Sequence, residues 1–232
     1  MRFSFVTLFP SIVQGYFSDS ILSRAIESGK ISLDFVDPRN YSSNKHHKVD
    51  APMISGGAGM LMSPQPLFDT LKDIKADSAD AHIIFLTPVG KKFEQQDAKR
   101  LAKKDHIVFV AGRYEGIDER VIESEAHELF SIGDFILTGG ELASMVLCDA
   151  ISRNVDGVLG NSDSLVIESF EDALLEAPSF TKPTIYENRA VISEFLKGNH
   201  SKITALKSKL SLCKTKYFRP DLYQKVKTKG IK

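Results

Sequence analysis

Three apolar runs in this chain each end against glycine. HIIFLT at 82–87 leads into PVG, HIVFVA at 106–111 leads into GRYEG, and FIL at 135–137 sits between Gly133 and the pair Gly139-Gly140. A continuous apolar run of this length, bounded by turn residues, marks a strand buried on both faces. Glycine directly after it lets the backbone turn sharply or pass close to another group. Further strand-like runs lie at 2–8 and 30–36, and the third glycine-bracketed run reads as a strand over 134–138. Amphipathic segments lie between most of them. SDSILSRAIESG has Asp19 or Ser20 as its N-cap and Gly29 as its stop, and KKFEQQDAKRLAKK follows at 91–104. ELASMVLCDAISR repeats Leu142, Met145, Val146 and Asp149 at near-helical spacing. Strands alternating with helices predict an α/β fold on a parallel sheet.

The character changes near residue 154. NVDGVLGNSDSLVIE is polar and loop-like, and APSFTKP, with Pro178 and Pro183, reads as an extended linker. SKITALKSKLSLCKTKYF then predicts a basic helix with Ile203, Leu206, Leu210 and Cys213 on one side. The expected organisation is an α/β domain over 1–160, a linker over 161–185 and a small, basic, all-helical domain over 186–232. The net charge of zero hides an asymmetry: residues 197–232 carry +10 and the remainder −10. Such a segment suits an acidic partner such as nucleic acid, and it equally suits a solvated helix face. Cys148 and Cys213 stand apart, without CxxC or histidine spacing, which predicts neither zinc nor a disulfide framework. The opening MRFSFVTLFPSI lacks a small-residue cleavage site, and no run reaches the length of a membrane span. The expected location is the reducing cytoplasm.

Ligands of open parallel sheets bind at the carboxyl ends of the strands, where the glycine loops near 87, 111 and 131 would lie. None of them is a dinucleotide fingerprint or a phosphate-cradling loop, and the chain has no HExxH and no nucleophile elbow. With few basic residues, these loops suit a flat, weakly charged group such as adenine rather than a polyphosphate. A tight turn explains any one of them alone; three at one sheet edge point to a binding site.

GRYEGIDER together with SIGDFILTGGE closely resembles the bacterial tRNA (guanine-N1)-methyltransferases, the TrmD family within the SPOUT methyltransferases. The resemblance extends through FVTLFP, DPRNY, GGAGMLM, LTPVGK, GVLGN, ESF, GNHSKI and FRPDL. It implies a SPOUT-type parallel sheet with a deep trefoil knot, whose loops hold S-adenosyl-L-methionine in a bent shape. The implied cofactor positions are Gly112, Ser131, Ile132, Gly133, Asp134, Phe135, Ile136 and Leu137, walled by Pro88, Gly90, Glu115, Gly139 and Gly140. The implied activity is methylation of N1 of the guanosine at tRNA position 37, by a cytoplasmic homodimer. Magnesium is implied as an assistant, and the sequence shows no site for it.

N1 of guanine carries a proton near neutral pH, so a base must remove it, and charge then builds toward O6, which calls for a cation or donor. On residue type alone, Glu168 is a solvated loop acid, and Arg153 is as well explained as a helix C-terminal charge. The resemblance assigns the base to Glu168, where the family usually has Asp, and the cation to Arg153. It implies contact with RNA or the partner subunit at Asp50; the further candidate RNA contacts are Lys182, His200, Lys202, Lys207, Lys209 and Lys214. Other departures from the family pattern are Ser55 and Ala58 in the glycine loop, Phe135 in place of Tyr and Ala143 in place of Pro.

Overall fold

The computed structural model describes residues 1–160, 168–171 and 173–228. The chain divides into two compact units, Met1–Gly160 and Asn161–Lys232. The first unit contains β1 (Arg2–Val6), α1 (Pro10–Tyr16), α2 (Ser20–Glu27), β2 (Ser32–Val36), β3 (Asp50–Pro52), β4 (Met60–Met62), α3 (Pro64–Asp77) and β5 (His82–Lys92). It continues with α4 (Gln95–Leu101), β6 (His106–Ala111), α5 (Glu119–Glu125), β7 (Glu128–Ser131) and α6 (Glu141–Ser152).

Five strands form one parallel sheet in the order β2-β1-β6-β5-β7. All six residues of β6, the central strand, are buried. Its alternate side chains feed two cores. Ile107 and Phe109 pack with Phe3 and Phe5 of β1 under α1, α2, α4 and α6. Val108 and Val110 pack on the other face with Leu67 and Leu71 of α3 and Val121 of α5. Covering both faces is what a parallel sheet demands, and it explains why the strands read as unbroken apolar runs. The Phe3 and Phe109 rings stack with centroids 6.0 Å apart, and Phe5 lies 5.4 Å from Phe109.

The caps follow the local sequence. Asp19 accepts from the Ser20 amide at the start of α2, and Glu94 and Asp97 form a reciprocal capping box on α4. Gly29, at φ +70°, ends the turn after α2 in the left-handed region.

One expectation needs correction in the first unit. The last strand of the sheet is Glu128–Ser131, whereas 134–138 is an irregular loop. Phe135 and Ile136 are 54% and 79% exposed, so that run is apolar without belonging to the core. In α6 the buried positions include Ala143, Met145, Leu147, Cys148 and Ile151, while Leu142 and Val146 face outward. Both faces of this helix are apolar, so its spacing alone did not reveal which one packs on the sheet.

The second unit is not all-helical. It has a two-stranded hairpin, β8 (Ile185–Tyr186) with β9 (Arg189–Ala190), before α7 (His200–Phe218) and α8 (Pro220–Thr228). Asn199 caps α7 by accepting from the Lys202 amide at 3.2 Å. Ile203, Leu206 and Leu210 are half-buried as the spacing predicts, but the inner side continues to Thr215, and Cys213 is exposed. Thr215 donates to the Ser211 carbonyl and accepts from the Leu175 amide at 2.9 Å, which ties α7 to the segment before it.

Candidate active site

A cleft of about 410 Å³ in the first unit opens beside the irregular stretch of β5 and the carboxyl ends of β6 and β7. That volume falls in the range of small-molecule sites, roughly 300–1,000 Å³. Three segments wall it: Thr87 and Pro88 in an irregular stretch of β5, Gly112 to Ile117 after β6, and residues between Ser131 and Gly140 from the end of β7 onward.

Each loop has a local cause. Leu86 and Lys91 of β5 both align with Phe130 of β7, so residues 87–90 bulge out of the ladder and Pro88 stands at the cleft. Gly90 does not line the cleft. It closes the bulge, because a Cβ there would lie 2.6 Å from the Phe130 amide nitrogen. The loop after β6 holds Tyr114 at φ +59° and Gly116 at φ +125°. A left-handed tyrosine is strained, and such strain persists only where surrounding contacts fix it. Those contacts come from β4: the Glu115 amide donates to the Met60 carbonyl, and the Met62 amide donates to the Gly116 carbonyl, both at 2.9 Å.

The loop after β7 turns on itself. Ser131 Oγ donates to the Gly133 carbonyl at 2.9 Å, and a Cβ on Gly133 would run into the Phe135 ring. Ile132, Gly133, Phe135, Ile136 and Leu137 line the cleft. Asp134 does not; it points to Lys92 at 2.6 Å on the exposed side of the loop. Gly139 and Gly140 lie on the wall, but their nearest neighbours are protein. The Gly140 amide donates to the Gly112 carbonyl at 2.9 Å, and a Cβ at 140 would lie 2.8 Å from the Ala111 Cα. A Cβ at 139 would strike the Arg113 and Glu141 side chains.

Arg113, Tyr114, Thr87 and Thr138 also line the cleft, beyond the positions that the resemblance implies. Arg113 had a usable signal, since it lies inside the GRYEG motif itself. Thr138 had none, being an ordinary residue in a loop taken for a strand.

Arg153 stands apart from this cleft. It is the C-cap of α6 and lines a second, smaller cavity of about 320 Å³ with Tyr16, Ile21, Asp149 and Leu159. There the Tyr16 hydroxyl donates to Asp149 at 2.5 Å, and that hydrogen bond pushes the phenol up to about 12. Glu168 belongs to the second unit, where it is half-buried and its carbonyl accepts from the Glu171 amide at 3.4 Å. Its neighbours 161–167 fall outside the described residues.

Of the expected RNA contacts, Asp50 begins β3, and Lys182 precedes Pro183 in the second unit. His200, Lys202, Lys207 and Lys209 are exposed on α7, whereas Lys214 is half-buried. At 3.6 residues per turn, Lys202, Lys209 and Lys216 share one stripe, while Lys207 and Lys214 lie on another side. Among the described residues, no group of three or more His, Cys, Asp or Glu side chains is placed to hold a metal ion. No helix among them is long and apolar enough to cross a membrane.

Residues 1–225 match a family model described as tRNA (guanine-1)-methyltransferase TrmD. The chain is similar to the tRNA (guanine-N(1)-)-methyltransferase of Sulfurovum sp. (strain NBC37-1), with 75% identity over 225 residues, 97% of this chain and 99% of that protein. It is 65% identical over 228 residues to the protein of that name from Sulfurimonas denitrificans, covering 98% of this chain and 99% of the relative. The protein of that name from Campylobacter curvus is 64% identical over 227 residues, covering 98% of this chain and 96% of the relative.

Proposed function

The chain belongs to the TrmD family of tRNA (guanine-1)-methyltransferases, and from that premise we propose that its large cleft is the methyl-donor site of an enzyme acting on tRNA. The reaction is transfer of a methyl group from S-adenosylmethionine to N1 of the guanosine at position 37, beside the anticodon. One observation carries the placement. The two long motifs that match the family, 112–120 and 131–141, converge from separate strands onto one cleft.

The cleft fits the donor. Glycine at 112, 133, 139 and 140 keeps its walls close, and Ile132, Phe135, Ile136 and Leu137 supply apolar surface for an adenine ring. Backbone groups of these loops offer hydrogen bonds without adding positive charge, which suits a cationic donor. S-adenosylmethionine supplies a methyl group already activated on sulfonium, so the protein's task is alignment rather than activation. Glu168 is the base that takes the N1 proton, and Arg153 meets the charge that grows toward O6; neither lines the cleft of its own chain, so the homodimer must bring them to a donor site. Magnesium is implied by the family resemblance alone, and among the described residues no group of three or more His, Cys, Asp or Glu side chains is placed to hold it.

The crossing of Gly140 over Gly112 supports a trefoil knot: the chain entering α6 lies tight against the end of the central strand. A homodimer is supported by the apolar outer face of α1 and α6, where Ile12, Tyr16, Leu142 and Val146 are each 44% exposed or more. Contiguous apolar surface of this kind marks an interface. The positive second unit would meet tRNA, and the working compartment would be the cytoplasm.

The decisive experiment is single-turnover methylation of an unmodified tRNA transcript with labelled S-adenosylmethionine. Label is expected at N1 of guanosine 37 and is expected to vanish when that base is replaced by adenosine. Label at another base would mean a different RNA target. Binding of tRNA without transfer would leave an RNA-binding protein.

A further inference from the structure

One charged network in the first unit has no part in the chemistry just described. Glu141, the first residue of α6, is 2% exposed. Its carboxylate accepts from the Thr7 hydroxyl at 2.8 Å and from Arg113 Nε at 2.9 Å. The same guanidinium donates from Nη1 to the Thr138 carbonyl at 3.2 Å and lies over the Phe9 ring, 4.5 Å from its centroid. Thr7 and Phe9 follow β1, Arg113 follows β6, and Thr138 belongs to the loop after β7. One ion pair therefore joins three segments, two of which are walls of the cleft.

The arrangement is costly to build. A buried carboxylate is stabilised only by partners of good geometry, and a buried pair is seldom retained for stability alone. It also accounts for Gly139. The pair fills the space that a side chain at 139 would need, so glycine there makes room for the network.

We propose that Arg113 and Glu141 are positioning residues for the methyl-donor site. Together they clamp the loop after β6 to the loop before α6 and so set the width of the cleft. The inference rests on the donor-site reading above. A planar guanidinium is suited to this role, because its separate N–H groups address the carboxylate and the Thr138 carbonyl at once. Lysine would carry the charge without the fork.

The test compares Arg113→Met, Glu141→Gln, Arg113→Lys and the double variant Arg113→Met/Glu141→Gln, using full-length protein. Removing one partner strands the other, so the single variants are expected to lose stability. The double variant leaves no unpaired charge and is expected to unfold cooperatively close to wild type. Its affinity for S-adenosylmethionine in calorimetry should nonetheless fall about ten- to hundredfold, the scale of a small misplacement remote from the chemistry. KM for the donor should rise in step, while kcat at saturating donor changes only a few-fold. Arg113→Lys should lie between wild type and the double variant. Phe9→Leu, at a 40%-exposed position, loosens the guanidinium without touching the core and should weaken binding several-fold. Wild-type donor affinity in the double variant, or in Phe9→Leu should the double variant fail to fold, would overturn the clamp. A wild-type protein that does not bind S-adenosylmethionine at all would instead overturn the donor-site reading.

Discussion

The glycines around the cleft look alike in sequence and differ in what they do. Among those that line the cleft Gly140 is the most demanding, because the atom nearest to an added Cβ is backbone, the Ala111 Cα of the central strand, at 2.8 Å. Backbone cannot rotate aside as a side chain can. Gly140→Ala is therefore expected to cost about 1–3 kcal/mol of folding stability, the usual scale of overpacking. Urea unfolding measures this, and a variant as stable as wild type would show that the crossing at Gly112 is looser than described. Sequence suggested glycine at 139–140 for close approach to a ligand; both positions line the cleft, and a Cβ at either would also press on protein. A motif reveals the need for a small residue and not the identity of its neighbour. Glu168 shows the opposite limit. Nothing in its type or local sequence sets it apart from a solvated acid, and its role came only with the family. Glu168→Gln is expected to keep S-adenosylmethionine affinity and lose about a hundredfold or more in single-turnover transfer, the scale of a lost general base. Glu168→Asp should retain transfer. Normal turnover in the Gln variant would put the base elsewhere.

At the scale of elements, the parallel sheet was legible because its strands are buried on both faces and contain little but apolar residues. β7 was missed for the same physical reason in reverse. Only Phe130 and Ser131 of its four residues are buried, because it is an edge strand, while the exposed loop 134–138 carries the apolar run. What aligns β7 is partly a histidine. The His127 Nδ1 accepts from the Ile83 amide at 3.0 Å, and the His127 amide donates back to the Ile83 carbonyl at 2.9 Å. Burial, followed by repulsion from neighbouring positive charge that includes Lys104 and Lys75, holds the His127 imidazole below its ordinary value of 6.5. Burial does the same to His106, which shares a hydrogen bond with Ser4 at 2.8 Å. Both groups bind protons more readily in the unfolded chain, so their contribution is complete above 6.5 and is lost as pH falls through their lower folded values. The unfolding midpoint is expected to drop between pH 7 and pH 5, and the double variant His106→Asn/His127→Asn should show a shallower drop. An equal slope in the variant would assign the acid sensitivity to other groups.

Across the whole molecule, the dominant feature is the separation of charge, +10 over residues 197–232 against −10 over the rest. It was visible from composition, yet composition left open whether it served a partner. The structure adds that Lys202, Lys209 and Lys216 form one stripe along α7, so at least three cations face the same way. A polyanion that meets such a stripe releases counterions, and each neutralised phosphate adds roughly −0.7 to −0.9 to the slope of log affinity against log salt. Binding of tRNA to the full chain should therefore weaken steeply as salt rises. S-adenosylmethionine binding should respond far less, since its cleft is lined mainly by glycine and apolar side chains, and its Arg113 is already paired with Glu141. The first unit should fold alone, because both hydrophobic cores and all five strands of the sheet lie within residues 1–160. A fragment of those residues is expected to bind S-adenosylmethionine and to lose tRNA affinity together with its salt slope. Measuring tRNA affinity for both proteins at several salt concentrations separates the cases. A fragment that keeps the full slope would place the phosphate contacts on the acidic first unit, against its net repulsion, and would leave the positive stripe on α7 without a partner.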